Sequence, residues 1–165
     1  MAGTPEQIGI ADGLSVSRLT RGNWQLAVKH GPTIAEDVAI DGMRRFVEAG
    51  ITNFDCADHY TGVEDLIGTF RQRHPALAER LTVQTKIVPD WDVLSGVTRA
   101  DIEKIVDRAR ERLGMAVLDL AQFHWWDYDT PGYVDSMVWL AEMQAEGKIA
   151  HIGVTNFDCL RLEEI

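Results

Sequence analysis

The stretch TNFDCADHY, residues 52–60, decides how this chain folds. Thr52, Phe54 and Cys56 suit a short buried strand, and the run ends in a group of polar side chains. Asp55 lies inside this strand without an obvious local partner. A carboxylate is costly to bury unless a cation or a hydrogen-bond donor pairs with it. The sequence therefore predicts that another part of the chain supplies a partner for Asp55.

Two further apolar strands downstream also end in side chains that are capable of chemistry. The strand Leu81–Lys86 alternates apolar and polar positions and ends in Lys86, the next candidate partner for Asp55. The strand Val117–His124 ends in His124. Three strands that each end in one reactive residue indicate a site at a shared edge.

Predicted strands and helices alternate along the chain. After an opening hairpin they return at roughly the 30-residue spacing of strand–helix–strand units. The predicted elements are the hairpin strands Ile8–Ala11 and Leu14–Ser17, the strands Arg18–Leu26, Ile51–Ala57, Leu81–Lys86, Val117–His124 and Ile149–Val154, the helices Thr33–Ala49, Gly62–Arg71, Thr98–Leu113 and Pro131–Glu146, and a last helical turn from Asp158.

Local signals mark the first turn and the starts of two helices. The dipeptide Asp12-Gly13 favours a type I′ turn between the hairpin strands. Thr33 and Thr98 are predicted N-caps, because Glu36 and Asp101 follow them by three residues as a capping box requires.

The alternation of strands and helices predicts a parallel sheet with helices outside it. An open doubly wound sheet and a (β/α)8 barrel both fit. No Gly-x-Gly-x-x-Gly motif follows the first strand, which weakens the dinucleotide-binding open sheet. Polar residues at the carboxyl ends of successive strands favour the barrel. Five strands do not close an eight-stranded barrel, so we expect residues 1–165 to form a single truncated barrel domain with an N-terminal β-hairpin.

Composition excludes several classes of protein. The formal net charge is −10, which argues against a nucleic-acid binder, because such a protein needs a basic face. No apolar run approaches the length of a membrane span, and the first residues do not resemble a secretory signal. The two cysteines, Cys56 and Cys159, are too few for a disulfide scaffold and are expected to be reduced. We therefore expect a cytoplasmic protein.

Asp55, Tyr60, Lys86 and His124 form a set that suits proton donation. A tyrosine hydroxyl is a poor proton donor at neutral pH, but a nearby lysine ammonium stabilises the phenolate. A carboxylate paired with that lysine keeps it charged and oriented. His124 is able to hydrogen-bond a substrate oxygen from the other side. The set therefore fits the reduction of a carbonyl group, whose oxygen gains negative charge.

At these residues the chain resembles the aldo-keto reductase superfamily. The matching segments occur in the order of that family and extend over nearly the whole chain. They are Gly22–Trp24, Phe54–Tyr60 followed by Gly62–Glu64 and Gly68, Val83–Lys86, Leu118–His124, Gly147–Ile149 and Gly153–Phe157.

The resemblance implies a (β/α)8 barrel in which NADPH delivers hydride to an aldehyde or ketone, the small-molecule carbonyl substrate. By resemblance, Tyr60 is the acid, Lys86 and Asp55 tune it, and His124 orients the substrate. The resemblance assigns the cofactor to a larger set of residues. These are Gly22, Asn23, Trp24, Asp55, Thr155 and Asn156, with Thr155 where the family often has serine and Asn156 on the nicotinamide carboxamide.

The chain is about half as long as a family member, on the scale of a whole eight-stranded barrel. The later strands, which in the family hold the pyrophosphate and the 2′-phosphate, are expected beyond Ile165. A catalytically inactive fragment, or a regulatory or binding remnant of such a barrel, is therefore the alternative function. Exposed sheet edges would then favour self-association.

Aromatic residues near the strand ends predict an apolar substrate pocket. We assign Trp24, His59, Trp91 and Trp125 to it, with Trp24 and Trp125 as the stronger candidates. Trp126 could line the pocket as well, and the alternative interpretation of both Trp91 and Trp126 is that they only cover the barrel mouth.

Two other enzyme classes compete with the reductase. A barrel hydrolase could bind a divalent metal ion through acidic and histidine side chains, although no compact ligand spacing such as His-x-His is present, so we predict no metal site. The candidate ligands are Asp55, Asp58, His59, His124 and Asp127. A lyase could form a Schiff base on Lys86, which would leave the pairing of Asp55 with Tyr60 unexplained.

Overall fold

The computed structural model describes residues 3–30 and 32–165. Long helices cover one face of a five-stranded parallel sheet, and an antiparallel hairpin contacts the opposite face. The strands are β1 (Gln7–Ala11), β2 (Leu14–Ser17), β3 (Thr20–Gly22), β4 (Asn53–Asp55), β5 (Thr82–Ile87), β6 (Leu118–Phe123) and β7 (Ile149–Val154). The helices are α1 (Glu36–Glu48), α2 (Val63–Arg73), α3 (Pro75–Ala78), α4 (Arg99–Leu113), α5 (Tyr133–Ala145) and α6 (Cys159–Leu162), with 3-10 turns at Trp24–Leu26 and Leu94–Gly96.

The strand order shows which parallel architecture the chain adopts. The sheet runs β3-β4-β5-β6-β7, so each strand pairs with the next one along the chain. A doubly wound sheet reverses direction at a switch point, and this order does not. Within the described residues, β3 and β7 are the edges of the sheet. The prediction of a truncated barrel with a hairpin before it is confirmed.

Alternation along the strands separates an apolar face from a polar one. On β5 the buried side chains are Val83, Thr85 and Ile87, and the half-buried ones are Thr82, Gln84 and Lys86. The buried set packs against the helices, because a strand sends successive side chains to opposite faces. The polar face of the sheet is thus the inner face of the barrel arc.

The hairpin is held against the sheet by apolar packing and by one serine. Leu14 and Val16 of β2 pack against Leu120 on the inner side of β6. The Ser17 hydroxyl accepts hydrogen bonds from the backbone N–H groups of Thr52 and Asn53, at 3.0 and 3.1 Å. The serine therefore connects the hairpin to the start of β4.

The hairpin itself is confirmed, but its predicted turn type is wrong. A type I′ turn needs a positive φ at both central residues. Gly13 has φ 77°, whereas Asp12 is not among the described non-glycine residues with positive φ. A register irregularity between Gly9 and Ala11 accompanies the turn.

The predicted strand Arg18–Leu26 is too long. The strand ends at Gly22, and a 3-10 turn at Trp24–Leu26 follows it. At Asn23 the backbone leaves the extended conformation, with φ −118° and ψ 4°, and its side-chain amide donates to the carbonyls of Arg21 and Asp55, at 3.1 and 2.9 Å. The strand Ile51–Ala57 is likewise reduced to Asn53–Asp55.

Two of the predicted helix starts are wrong. The first helix begins at Glu36 after Ala35, so Thr33 does not cap it. Its first turn is held instead by Arg73 of α2, which pairs with Glu36 and Asp37. The fifth helix begins at Tyr133 after Gly132, not at Pro131.

The start of α4 agrees with the sequence. The Thr98 hydroxyl accepts from the backbone N–H of Asp101 at 3.3 Å, and the Asp101 carboxylate accepts from the backbone N–H of Thr98 at 2.9 Å. This reciprocal pair is the predicted capping box. Gly114, with φ 63°, ends the helix.

The contact between α2 and α4 depends on a glycine, and we predict that Gly68→Ala destabilises the fold. A Cβ at Gly68 would lie 2.0 Å from the backbone oxygen of Arg112, so the helices must separate. The expected loss is roughly 2 kcal/mol of unfolding free energy in a urea titration. Gly42→Ala on α1 is the matched control: its Cβ meets only Arg21 Nη2 at 4.0 Å, so helix propensity should add up to about 1 kcal/mol. Equal effects at the two positions would contradict this packing.

Candidate active site

The carboxyl ends of the parallel strands bring the predicted residues to one edge of the sheet. Gly22 and Asp55 are register partners at the ends of β3 and β4. Lys86 lies near the end of β5, beside Gln122 of β6. His124 follows β6 directly. Four neighbouring strands therefore each bring one residue to this edge.

Lys86 is the partner of Asp55. Its Nζ donates to Asp55 Oδ1 and also to the backbone oxygen of Cys56, at 3.2 Å for the second bond. The two side chains are 14% and 26% exposed, so the pair is partly shielded and still reachable from the inner face. Because both groups are charged, each compensates the desolvation of the other.

Tyr60 lies on the loop after β4 and next to this ion pair. The Lys86 Nζ is 5.2 Å from the centroid of the Tyr60 ring. The backbone N–H of Tyr60 donates to Ala57 at 3.0 Å, and its carbonyl accepts from Val63 at 2.9 Å. The loop turns at Tyr60 and presents the phenol at the edge of the site.

His124 is nearly buried at the end of β6. Burial lowers the pKa of His124 below its usual 6.5, and the Lys86 charge lowers it further, while a hydrogen bond to the Thr155 backbone opposes both. Asn156 Nδ2 lies 3.4 Å from His124 Nδ1. The imidazole is therefore neutral at neutral pH and is fixed by the two residues that follow β7.

Aromatic rings form a continuous wall beside these residues. The Trp126 ring meets His124 edge-on with centroids 4.5 Å apart and stacks on Trp91 at 5.7 Å. His59 joins Trp126 to Tyr60, with centroid distances of 5.8 and 4.8 Å. We call Tyr60, His59, Trp126 and Trp91 the aromatic wall.

The expected position of Trp125 is corrected by the structure. Trp125 is only 1% exposed and packs in the core. Its Nε1 donates to the carbonyls of Asp127 and Thr130 at 2.9 and 3.0 Å. Trp126 takes the position beside His124, with its own Nε1 bonded to the Pro89 carbonyl at 2.8 Å.

The predicted cofactor residues at the end of the edge strand β3 include one buried residue and two exposed ones. Asn23 is fully buried and its amide holds the Asp55 and Arg21 carbonyls, so it supports the β3–β4 connection rather than facing the site. Gly22 and Trp24 are exposed, and the Trp24 ring contacts His30 at 4.8 Å.

A row of side-chain amides, for which the sequence carries no local signal, lies one layer beneath the site. Gln84 Nε2 donates to Asn53 Oδ1 and Gln122 Nε2 donates to Gln84 Oε1, both at 2.6 Å. Asn53 Nδ2 in turn donates to the Thr20 hydroxyl at 2.8 Å. The amide row thus crosses β3, β4, β5 and β6 on the inner face.

The acidic residues that were considered as metal ligands lie apart from one another. Asp58 pairs with Arg108, on the helix side of the sheet, and Asp127 bonds to Thr130. Across residues 3–30 and 32–165 no group of three potential metal ligands comes together. In the same residues no helix is both long enough and apolar enough to span a membrane.

Comparison with known proteins identifies sequence relatives. The family model that describes the Aldo/keto reductase family matches residues 18–165. Aldo-keto reductase YhdN of Bacillus subtilis is 29% identical over 164 residues, which cover 96% of this chain and 49% of that protein. The 6-dehydroglucose reductase of Novosphingobium aromaticivorans is 33% identical over 154 residues, covering 88% and 49%. The chain spans about half the length of these relatives.

Solved structures match the fold. An aldo/keto reductase from Klebsiella pneumoniae in complex with NADP and acetate gives a TM-score of 0.77 at 20% identity, covering 97% of this chain and 53% of its own. Another from the same organism, in complex with NADPH, gives 0.75 at 22%, covering 93% and 50%. The likeness shows that the five-stranded sheet is an arc of a (β/α)8 barrel.

The environment of His124 predicts a loss of stability in acid. Because the pKa of His124 is lowered in the folded protein, the unfolded chain binds this proton more tightly, and the unfolding free energy falls as the pH drops below 6.5. Urea titrations from neutral pH to about pH 5 measure this slope. His124→Gln should make the slope shallower, and an unchanged slope would contradict the assignment.

Proposed function

The chain belongs to the aldo-keto reductase family, and from this membership we propose that it carries the catalytic residues of an NADPH-dependent carbonyl reductase. The proposed reaction reduces an aldehyde or ketone to an alcohol. The chain spans about half the length of these relatives, so we propose this reaction for the chain and do not take it over from them.

One observation supports the proposal most strongly. Lys86 bonds to the Asp55 carboxylate while its Nζ lies 5.2 Å from the centre of the Tyr60 ring. A positive charge at this distance stabilises the negative charge that the phenol oxygen would take on as it gives its proton to the substrate. A Schiff-base lysine needs a neutral amine, which a paired carboxylate disfavours.

The residues around Gly22 and β7 fit the nicotinamide end of NADPH. A Cβ built on Gly22 meets no described atom within 4 Å, so the backbone beside Asp55 is open to a flat ring. Trp24 and Asn156 are exposed on the two sides of the arc. Gly22, Trp24, Thr155 and Asn156 would hold the cofactor there, and NADPH when bound supplies the hydride.

In the proposed reaction Tyr60 is the general acid. As the carbonyl carbon gains hydride, the carbonyl oxygen gains negative charge and takes the proton of the Tyr60 hydroxyl. The resulting phenolate is stabilised by the Lys86 ammonium and is reprotonated from solvent. Asp55 holds that ammonium in place beside the loop through its hydrogen bond.

His124 is proposed to orient the substrate. Its lowered pKa keeps the imidazole neutral, so that it donates a hydrogen bond without carrying a charge into the site. A neutral donor and a phenol on two sides of the carbonyl oxygen would align it for reduction.

The aromatic wall indicates the kind of substrate that this site prefers. Trp91 and Trp126 stack almost in parallel, at an interplanar angle of 20°, and Trp91 is 61% exposed. A flat apolar group attached to the carbonyl would bury its surface on these rings. We therefore propose a small carbonyl compound with an aromatic or apolar substituent.

A non-catalytic remnant is the second candidate function. Among residues 3–30 and 32–165, β3 and β7 are the edge strands of the sheet, and edge strands favour strand addition. In this alternative the chain associates with itself or with a partner through these edges and does not turn over substrate.

Tyr60→Phe tests the proposed acid. We expect carbonyl reduction to fall by about 10²–10⁴-fold, because the proton donor is removed, while NADPH binding measured by fluorescence stays unchanged. Tyr133→Phe is the matched control, since this phenol bonds to Glu164 away from the site. Retained turnover in Tyr60→Phe would refute the acid assignment, and absence of both NADPH binding and turnover in the unaltered chain would favour the remnant.

Trp91→Ala tests the aromatic wall. Loss of the stacking surface should raise KM for an aryl aldehyde roughly fivefold, equivalent to about 1 kcal/mol, with little change for a short aliphatic aldehyde. Steady-state kinetics with the two aldehydes measures the difference. Equal changes for both substrates would show that Trp91 does not bind the substituent.

A further inference from the structure

We propose that Arg112 is a positioning residue for Tyr60. It contacts two buried carboxylates that lie on either side of Tyr60 in the chain, and in this way it fixes the phenol relative to Lys86. The inference rests on the proposed function, because it concerns the proposed acid. It adds residues of α4 that the reductase assignment does not include.

The first carboxylate is Asp58, two residues before Tyr60. Its side chain is only 4% exposed and receives two hydrogen bonds from Arg108, at 2.8 and 2.6 Å. Arg112 Nη1 adds a contact of 3.2 Å to the same carboxylate and one of 3.4 Å to the Asp58 carbonyl. The Asp58 backbone N–H donates to the carbonyl of Lys86 at 3.1 Å. The loop before Tyr60 is therefore fixed both to α4 and to the lysine.

The second carboxylate is Glu64, four residues after Tyr60. It is 1% exposed, and its Oε2 lies 3.3 Å from Arg112 Nη1. Its Oε1 accepts a hydrogen bond of 2.6 Å from the Thr85 hydroxyl, and Thr85 precedes Lys86 on β5. Both ends of the Tyr60 loop are thus tied to Arg112 and to residues that adjoin Lys86.

The charges explain why an arginine is needed at this point. Burial raises the pKa of Glu64, and the nearby Asp58 charge raises it further, whereas Thr85 and Arg112 oppose the shift through hydrogen bonds. Two buried carboxylates repel one another unless a cation lies between them. Arg112 contacts both, so its loss would let the segments before and after Tyr60 move apart.

The loop that carries Tyr60 has no regular secondary structure, so its position depends on these contacts. Residues 56–62 lie between β4 and α2 and include no strand or helix of their own. Charge-assisted hydrogen bonds with planar guanidinium groups supply the orientation that backbone pairing supplies elsewhere. The structure therefore links the position of Tyr60 to the last turn of α4.

The experiment compares Arg112→Met with Arg112→Lys and with Arg110→Met. Methionine keeps much of the apolar stem without the charge, and lysine keeps the charge without the planar fork. Arg110 is the matched control on the same helix, because it bonds to Asp107 and to the Ala116 carbonyl instead of the loop. The readouts are amide hydrogen exchange of residues 57–62, the NMR signals of ring-labelled tyrosines, NADPH affinity and kcat.

For Arg112→Met we expect exchange in residues 57–62 to accelerate by roughly tenfold or more, the loss typical of a charge-assisted hydrogen bond to a buried group. The Tyr60 ring signal should shift, while the signals of Tyr128 and Tyr133 and the exchange of β6 remain as in the unaltered chain. Arg112→Lys should restore part of the protection, and Arg110→Met should leave the loop unchanged. In an active protein, kcat should fall while NADPH affinity is retained.

Unchanged exchange and an unshifted Tyr60 signal in Arg112→Met would overturn the proposal, as would a uniform increase over the whole chain that Arg110→Met reproduces. If Arg112→Met does not fold, Arg112→Lys is decisive: it keeps a charge between Asp58 and Glu64 but not the planar fork, so residues 57–62 must exchange faster than in the unaltered chain, and a rigid loop in that variant would overturn the proposal. Exchange and ring signals do not require turnover. A chain that shows the loop effects but no reductase activity would therefore refute the proposed function and leave the positioning role supported.

Discussion

The register of the parallel strands is the constraint on which the rest of the molecule depends. Asp55 lies opposite Gln84 and Lys86 lies opposite Gln122, so Asn53, Gln84 and Gln122 are diagonal neighbours, each two residues away from the position directly opposite. Their amides bond to one another along this diagonal of the inner face. Because side chains repeat with a period of two, the residues two positions further on, Asp55, Lys86 and His124, follow a parallel diagonal. The strand register therefore sets the spacing of the candidate catalytic groups.

The same period explains how much of the fold could be predicted from the sequence. Alternation along Leu81–Lys86 and the capping box at Thr98 are local signals, and the structure has both. The end of β3 is not signalled locally, because the Asn23 side chain turns back to bond to the Asp55 carbonyl, 32 residues away. Arg73 of another helix likewise pairs with the first turn of α1. Tertiary contacts decide such boundaries, and a single sequence does not list them.

The positions of site residues that come directly after strands could be predicted from the sequence, whereas contacts made by helix residues could not. Carried past the end of β6, the period of two directs His124 inward, Trp125 outward and Trp126 inward again, which is the observed arrangement. Applied to these residues, it would have selected Trp126 over Trp125. No comparable rule connects Asp58 with Arg108, which are 50 residues apart. That pair depends on how α4 packs over the loop.

Carboxylates on the two faces of the sheet pair with different cations. Asp55 meets Lys86 on the inner face, whereas Asp58 and Glu64 meet arginines of α4 on the helix side. Both faces act on the same short segment: burial raises the pKa of the Cys56 thiol, Glu64 and Asp55 raise it further, and Lys86 lowers it. Without Arg108 and Arg112, the negative charges of Asp58 and Glu64 would also attract the Lys86 ammonium. The arginines behind the sheet thus leave that lysine to Asp55 and to the phenol beside it.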